Sequence, residues 1–322
     1  MADPGKITHR FDFKMLASGN AKLEKGSKKG YVSTALMLAP AWRSRIRDVC
    51  PFSTPGCRRA CLNTSGQGGF GVPLGKGIDL ETIENWIQKS RRLKTELFYR
   101  NRGEFFRILI ADIEHFIRFS KTHMIDHFEK KARGSGHITF FRPARKSEKG
   151  LIPCVRLNGT SDLLWESFSI VLNGQRWPNL MALFPRLQFY DYTKWPRRFN
   201  VPANYCLNFS WSEAAAHPAN ARDTVANRAR EYFKRGVNTV VVFEQMPETF
   251  MGYPVIDGMQ TDLRFLDPRP RVVGLLPLKF ATEDETGFVV KPGNPALRLR
   301  NPARAVARDV FYEDSLGLFP DE

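Results

Sequence analysis

From Leu151 onward the chain repeats one arrangement: a short apolar run, a polar or helical interval, then another apolar run. The runs are Pro153–Leu157, Leu187–Tyr190, Tyr205–Phe209, Thr239–Phe243 and Val272–Leu275, and Tyr31–Leu38 upstream makes a sixth. Runs this short and this apolar suit strands buried on both faces. The intervals between them are long enough for helical crossovers, at Leu163–Leu172, Trp177–Phe184 and Ala221–Arg235. Strands joined by crossovers pair in parallel, so at 322 residues the pattern predicts an α/β fold. Its expected form is a partial or complete βα barrel of about six parallel strands, with chemistry collected at the C-terminal strand ends.

Two amphipathic helices are predicted between the first and second strands. One runs from Leu80 to Tyr99 with Asp79 as its N-cap, the other from Glu104 to Lys121. The basic segment Lys130–Gly150 breaks regular structure apart from a short run at Ile138–Phe141. Residues 1–30 are polar and basic and read as an extended arm. Residues 31–290 read as a single domain, and 291–322 as a tail wrapping the surface.

Lys and Arg number 49 against 33 Asp and Glu, a net charge of +16, which favours polyanionic partners, nucleic acid or nucleotide first. Half of that surplus lies in residues 1–60, which hold twelve basic and four acidic side chains. No run approaches the roughly 20 apolar residues of a membrane span, and MADPGKITHRFDFK lacks the apolar core of a signal peptide. Neither secretion nor a membrane partner is expected.

Five cysteines without a secretory signal argue against a disulfide framework. Three of them, Cys50, Cys57 and Cys61, lie in one proline- and glycine-bearing loop directly after the first strand. Arg58 and Arg59 beside them are expected to favour the thiolate. Three thiolates on such a loop suit a [4Fe-4S] cluster with one iron left open, or a zinc ion completed by another residue. Cys206 is the first choice for a fourth ligand; Cys154 and Cys206 otherwise read as core residues within strands. His123 and His127 stand at i,i+4 spacing without an acidic partner and make a weak metal site.

Polar residues cluster where the strands end. Asn158 and Asp162 follow the Pro153–Leu157 strand, and Asp162 reads as a base, a nucleophile or the N-cap of the helix expected at Leu163. Arg156, inside an apolar strand, needs an anionic partner, for which Glu166 and Asp191 are candidates. Asp191, Tyr192, Lys194, Arg197 and Arg198 interleave aromatics with cations as phosphate- and base-contacting surfaces do. Asp257, Asp262 and Arg264 crowd the stretch Val255–Pro268, where the carboxylates suit proton transfer or a divalent cation, and Arg264 suits a salt-bridged turn.

The blocks LAPAW (38–42), CPFSTPGCRRACLNTSGQGGF (50–70), VRLNGTSDLLWE (155–166), FYDYTKWPRR (189–198), NYCLNFSWSE (204–213) and VIDGMQTDLRFLDP (255–268) resemble a bacteriophage family. It is the family called after the gene-eighty-eight product of a mycobacteriophage, and the resemblance runs in order over roughly residues 31–290. It implies a phage or prophage protein at work in bacterial cytoplasm; it implies no reaction. In general plan, a three-cysteine loop after a first strand is also similar to radical-SAM enzymes, whose CxxxCxxC spacing is absent here.

The residues together predict an iron–sulfur enzyme acting on nucleic acid or a nucleotide-derived substrate. Cys50, Cys57 and Cys61 would hold the cluster, with S-adenosylmethionine as a candidate co-substrate. Asp162, Asn158 and Arg156 would shape the pocket, and Lys194, Arg197 and Arg198 would contact phosphate. Two alternatives stand beside it: a non-enzymatic nucleic-acid-binding protein with a structural zinc, and a nucleobase-exchange enzyme with Asp162 as nucleophile.

Overall fold

The computed structural model describes residues 14–17, 25–71, 84–122, 129–133, 136–140, 151–213 and 224–298. Expectations for Asp79, for His123 and His127, for residues 1–13 and for the tail after 298 fall outside them.

A ten-stranded, mostly parallel sheet organises the chain. Its central strands, β2 (Tyr31–Leu36), β5 (Ile152–Arg156), β8 (Gln188–Thr193), β9 (Tyr205–Ser210) and β10 (Thr239–Phe243), lie side by side in chain order and all in parallel. Beyond β10 come β13 (Val272–Leu275) and then β12 (Tyr253–Asp257), also parallel. A short strand, β14 (Val289–Val290), pairs with Val242 and Phe243 of β10, past the last β9 pair. The antiparallel strands β1 (Leu16–Ala17) and β11 (Thr249–Phe250) end the sheet on its two sides. They are not paired to each other, so the hydrogen-bonded sheet of the described residues is open and a closed barrel is not formed by it.

Alternation along the strands divides two faces. Val155, Phe189, Tyr205 and Leu207 pack in one core with Leu97 and Phe98 of α2 (Trp86–Arg100) and Phe105, Leu109 and Ile113 of α3 (Arg102–Thr122). On the same pattern Phe209, Val241 and Phe243 meet Ala229, Tyr232 and Phe233 of α5 (Val225–Lys234). The opposite face carries Cys154, Tyr190 and Cys206, which pack against Leu263 and Phe265 of the β12–β13 connection. Near Met15 the basic N-terminal segment is built into the sheet. The Asp112 carboxylate accepts from the Met15 and Leu16 N–H groups, and Lys94 Nζ donates to the Met15 carbonyl.

Several expected elements form differently. The helix expected at Leu163–Leu172 is a single 3-10 turn, Trp165–Ser167, followed by a hairpin of β6 (Ile170–Leu172) and β7 (Gln175–Trp177). Asn173 and Gly174 turn that hairpin with φ of 50° and 80°, the left-handed pair that two-residue hairpin loops require. The Trp177–Phe184 helix shrinks to α4 (Leu180–Leu183), because Asn179 caps it by accepting from the Ala182 N–H. The first long helix starts at Trp86, not Leu80, since Asn85 and Gln88 form a reciprocal capping box there. Part of Lys130–Gly150 forms a hairpin of β3 (Glu129–Arg133) and β4 (Gly136–Phe140). β12, unforeseen, takes in Val255–Asp257 at the start of the charged stretch Val255–Pro268.

Gly159 permits the end of β5 to close against β2. Its N–H donates to the Leu36 carbonyl at 3.1 Å, and a Cβ there would sit 2.8 Å from that oxygen and collide with the Met37 thioether. Gly159→Ala is expected to cost about 1–3 kcal/mol in urea unfolding, the range for forced overpacking. A cost below about 0.5 kcal/mol would contradict this contact.

Candidate active site at the strand ends

Because five neighbouring strands run in parallel, the segments that follow them emerge at one edge of the sheet. The three-cysteine loop after β2 lies across the ends of β5, β8 and β9. The Val49 carbonyl accepts from the Asp162 N–H at 2.8 Å, and the Cys50 thiol points to the Thr160 carbonyl at 3.7 Å. Phe52 packs edge-on against Trp195, with ring centroids 4.7 Å apart, and the Arg228 guanidinium lies over Phe52. Thr54 and Ser212 share a hydrogen bond of 2.6 Å, and the Glu213 carboxylate accepts from the Gly56 N–H at 2.6 Å. α1 (Pro55–Arg59) starts here because Thr54 caps it through the Cys57 N–H and Pro55 fits its first turn. Gly56 has no room for a side chain: a Cβ would stand 2.6 Å from that of Phe288 and 3.0 Å from the Glu213 carboxylate.

All three thiols of this loop are half-buried and free of disulfides. Burial first, then the neighbouring thiols and Asp162, push Cys50 well above the usual thiol range, against a backbone hydrogen bond from Ala41. Burial, with Cys57 beside it, pushes Cys61 up to about 11. The opposing cations at Cys61 are Arg91 and Arg43, not the Arg58 and Arg59 expected from the sequence. Arg59 instead faces Glu283 at 3.7 Å and lies over the Phe280 ring. Arg91 is buried, donates to the carbonyl and side-chain oxygens of Asn63, and has no carboxylate within ion-pair distance among the described residues. Cys57 thus sits close enough to raise the pKa of both Cys50 and Cys61, with a buried cation beside them. Even so, no group of three His, Cys, Asp or Glu among the described residues is placed to hold a metal ion.

Cys206 is engaged elsewhere: Arg269 donates to its sulfur at 2.6 Å on the opposite face of the sheet. Cys154 is likewise buried, beside Ser33, with burial raising its thiol to about 12. Both behave as core residues.

Two buried charge networks hold the strand ends. In the first, Asp162 accepts from the Lys194 N–H at 2.7 Å and from Arg198 at 3.4 Å, while Glu166 takes the remaining Arg198 donors at 2.6 and 2.8 Å. Burial raises the Asp162 pKa, and Arg198 opposes the rise. Arg198 also donates to the Tyr205 hydroxyl, so the residue expected at phosphate is committed inside the fold. Glu166, expected beside Arg156, belongs to this network. In the second, Arg156 meets Asp262 at 3.1 Å and Asp191 at 3.7 Å, and the Tyr192 hydroxyl donates to Asp262. Asp191 accepts from the Leu157 and Asn158 N–H groups and the Tyr205 hydroxyl; burial nevertheless carries its carboxyl up to about 7.

Asn158 is buried and turned inward. Its side-chain oxygen accepts from Ser161, Leu163 and Trp165, and its amide donates to the Leu163 carbonyl, so it shapes the loop and offers nothing outward. Asp257 and Asp262 do not converge: Asp257 caps the turn at Met259 and Gln260 at the far side of the sheet, and Asp262 is buried with Arg156. Arg264 forms the salt-bridged turn, with Asp267 at 2.9 Å. Lys194, which donates to Ser210 Oγ at 2.6 Å, remains half-exposed, and Arg197 is exposed. Thr54 and Arg91, which help position the cysteine loop, escaped the sequence reading.

The profile of the family described as Gene product 88 matches residues 14–292. The chain therefore belongs to this bacteriophage family. No curated protein and no solved structure matches it. No helix among the described residues is long and apolar enough to cross a membrane.

In metal-free protein, alkylation of Cys61 is expected to be slow at pH 8 and to accelerate toward its pKa of about 11, because only the thiolate reacts. Mass spectrometry of iodoacetamide-treated protein across this range checks it. A rate already level at pH 9 would contradict the burial of the thiol.

Proposed function

We propose that this protein is an iron–sulfur enzyme on a partial βα-barrel scaffold, acting on nucleic acid or a nucleotide-derived substrate. The observation that carries the reading is the seating of the three-cysteine loop across the ends of β5, β8 and β9, where parallel α/β folds gather their chemistry. Three loop thiolates would leave one iron of a [4Fe-4S] cluster open, whereas a structural zinc ion needs a fourth ligand, and Cys206, the one expected, is engaged with Arg269.

Cys50, Cys57 and Cys61 would be the ligands. When bound, the cluster supplies one-electron chemistry or an open iron as Lewis acid. The chain's own residues do the rest. Arg91 places a buried positive charge beside Cys61, offsetting the negative charge that three thiolates bring. Glu213 and Ser212 fix the loop from the end of β9, Asp162 locks the β5 and β8 loops together, and Phe52 packs the cysteine loop onto Trp195 of the β8 loop. Arg197 remains exposed for an anionic substrate, while the Lys194 ammonium is engaged by Ser210 and the Trp211 carbonyl. Asp162 has both carboxylate oxygens occupied, which supports positioning and leaves the nucleobase-exchange alternative without a free nucleophile.

The test is anaerobic purification of the full chain from iron-supplemented cells, followed by iron, acid-labile sulfide and zinc analysis. About four iron and about four sulfide per chain are expected, lost in Cys57→Ser and Cys61→Ser and kept in Cys206→Ala. Stoichiometric zinc without sulfide, or iron unaffected by the loop variants, would overturn the reading.

A further inference from the structure

Large apolar side chains are left in water around the outer side of the cysteine loop. Trp42 is 59% exposed, Phe70 67% and Trp86 74%, with Leu62 at 41%. They stand on neighbouring elements. The 3-10 turn Ala41–Ser44 packs against α2, as does the Gly66–Gly69 turn that precedes Phe70. Asn85, whose side chain starts α2, donates to the Phe70 carbonyl at 3.0 Å, and Trp86 is the next residue. Trp42 is presented by backbone that resists relaxation: Ala41 and Arg45 flank it with φ of 48° and 59°, left-handed values that cost non-glycine residues energy.

The same surface is cationic. Arg92, Arg45 and Lys89 all act on one carboxylate, Glu84, and lower its pKa. Arg92 is bonded to Glu84 at 2.7 Å, while Arg45 and Lys89 are exposed and have no carboxylate within ion-pair distance among the described residues. Aromatic faces open to solvent and cations outside ion pairs among the described residues are the two parts of a single-strand binding surface, where bases stack and phosphates are neutralised. Duplex DNA hides its base faces in the stack and has no use for the aromatics.

From these features we infer that Trp42, Phe70 and Trp86, with Arg45 and Lys89, form a binding surface for single-stranded nucleic acid that leads to the cysteine loop. The inference rests on the nucleic-acid part of the reading above and not on the inorganic centre, so it is tested on metal-free full-length protein.

Fluorescence anisotropy with dye-labelled single-stranded DNA and RNA of on the order of 15 nucleotides, and with the matching DNA duplex, measures it. Single strands are expected to bind more tightly than duplex and to quench tryptophan emission; the DNA and RNA arms show which polymer is preferred. Trp42→Ala, Phe70→Ala and Trp86→Ala, each verified as folded by circular dichroism, should each weaken binding on the order of tenfold. Arg45→Glu with Lys89→Glu should weaken it and flatten its salt dependence. Affinity unchanged in every variant, duplex bound as tightly as single strand, or a dimer that Trp86→Ala dissociates would overturn the inference. Binding without iron together with a failed metal analysis would leave this surface standing and the cluster not.

Discussion

Parallel pairing in chain order, from β2 through β10, is the constraint from which the rest of the architecture follows. Each of these strands ends at the same edge, so the segments after β2, β5, β8 and β9 must share one surface. Buried backbone polar groups there need partners, and the loops supply them to one another. The Asp162 carboxylate caps the Lys194 N–H, the Val49 carbonyl takes the Asp162 N–H, and Glu213 takes the Gly56 N–H. The cysteine loop is therefore one member of an interlocked set.

Buried charge makes that set specific. Arg198 between Asp162 and Glu166, and Arg156 between Asp191 and Asp262, pair residues far apart in sequence. Such groups are costly to desolvate, and removing one partner strands the other, at about 3–5 kcal/mol. They add little net stability but penalise any register that separates them. Arg91 differs, having Asn63 oxygens and the Cys61 thiol as neighbours in place of a carboxylate. It is a cation with capacity left for negative charge at the loop.

Strand identity was legible because the central strands are buried on both faces and mostly apolar in sequence; Thr239–Phe243 and Val272–Leu275 have the bounds expected of them. β12 was not, because YPVID alternates only half-buried and exposed side chains and holds a proline. The β6–β7 hairpin carried a readable Asn173–Gly174 signal, but the apolar spacing of Leu163–Leu172 imitates a helix. Cys50, Cys57 and Cys61 were legible as a group from their spacing. Their electrostatics were not, since Arg43 and Arg91 reach Cys61 only through the packing of the Ala41–Ser44 turn and α2. Nor could spacing tell that Arg198 faces inward, because its carboxylate partners, Asp162 and Glu166, lie on another loop.

The central claim is that three thiols on one loop grip a polynuclear iron centre. X-ray absorption at the iron and zinc edges of anaerobically isolated protein tests it directly. The account predicts iron bound by sulfur, with a second-shell iron–iron signal that disappears when Cys61 is replaced by serine. Zinc in a sulfur shell with no iron signal, or iron bound by oxygen and nitrogen alone, would contradict it.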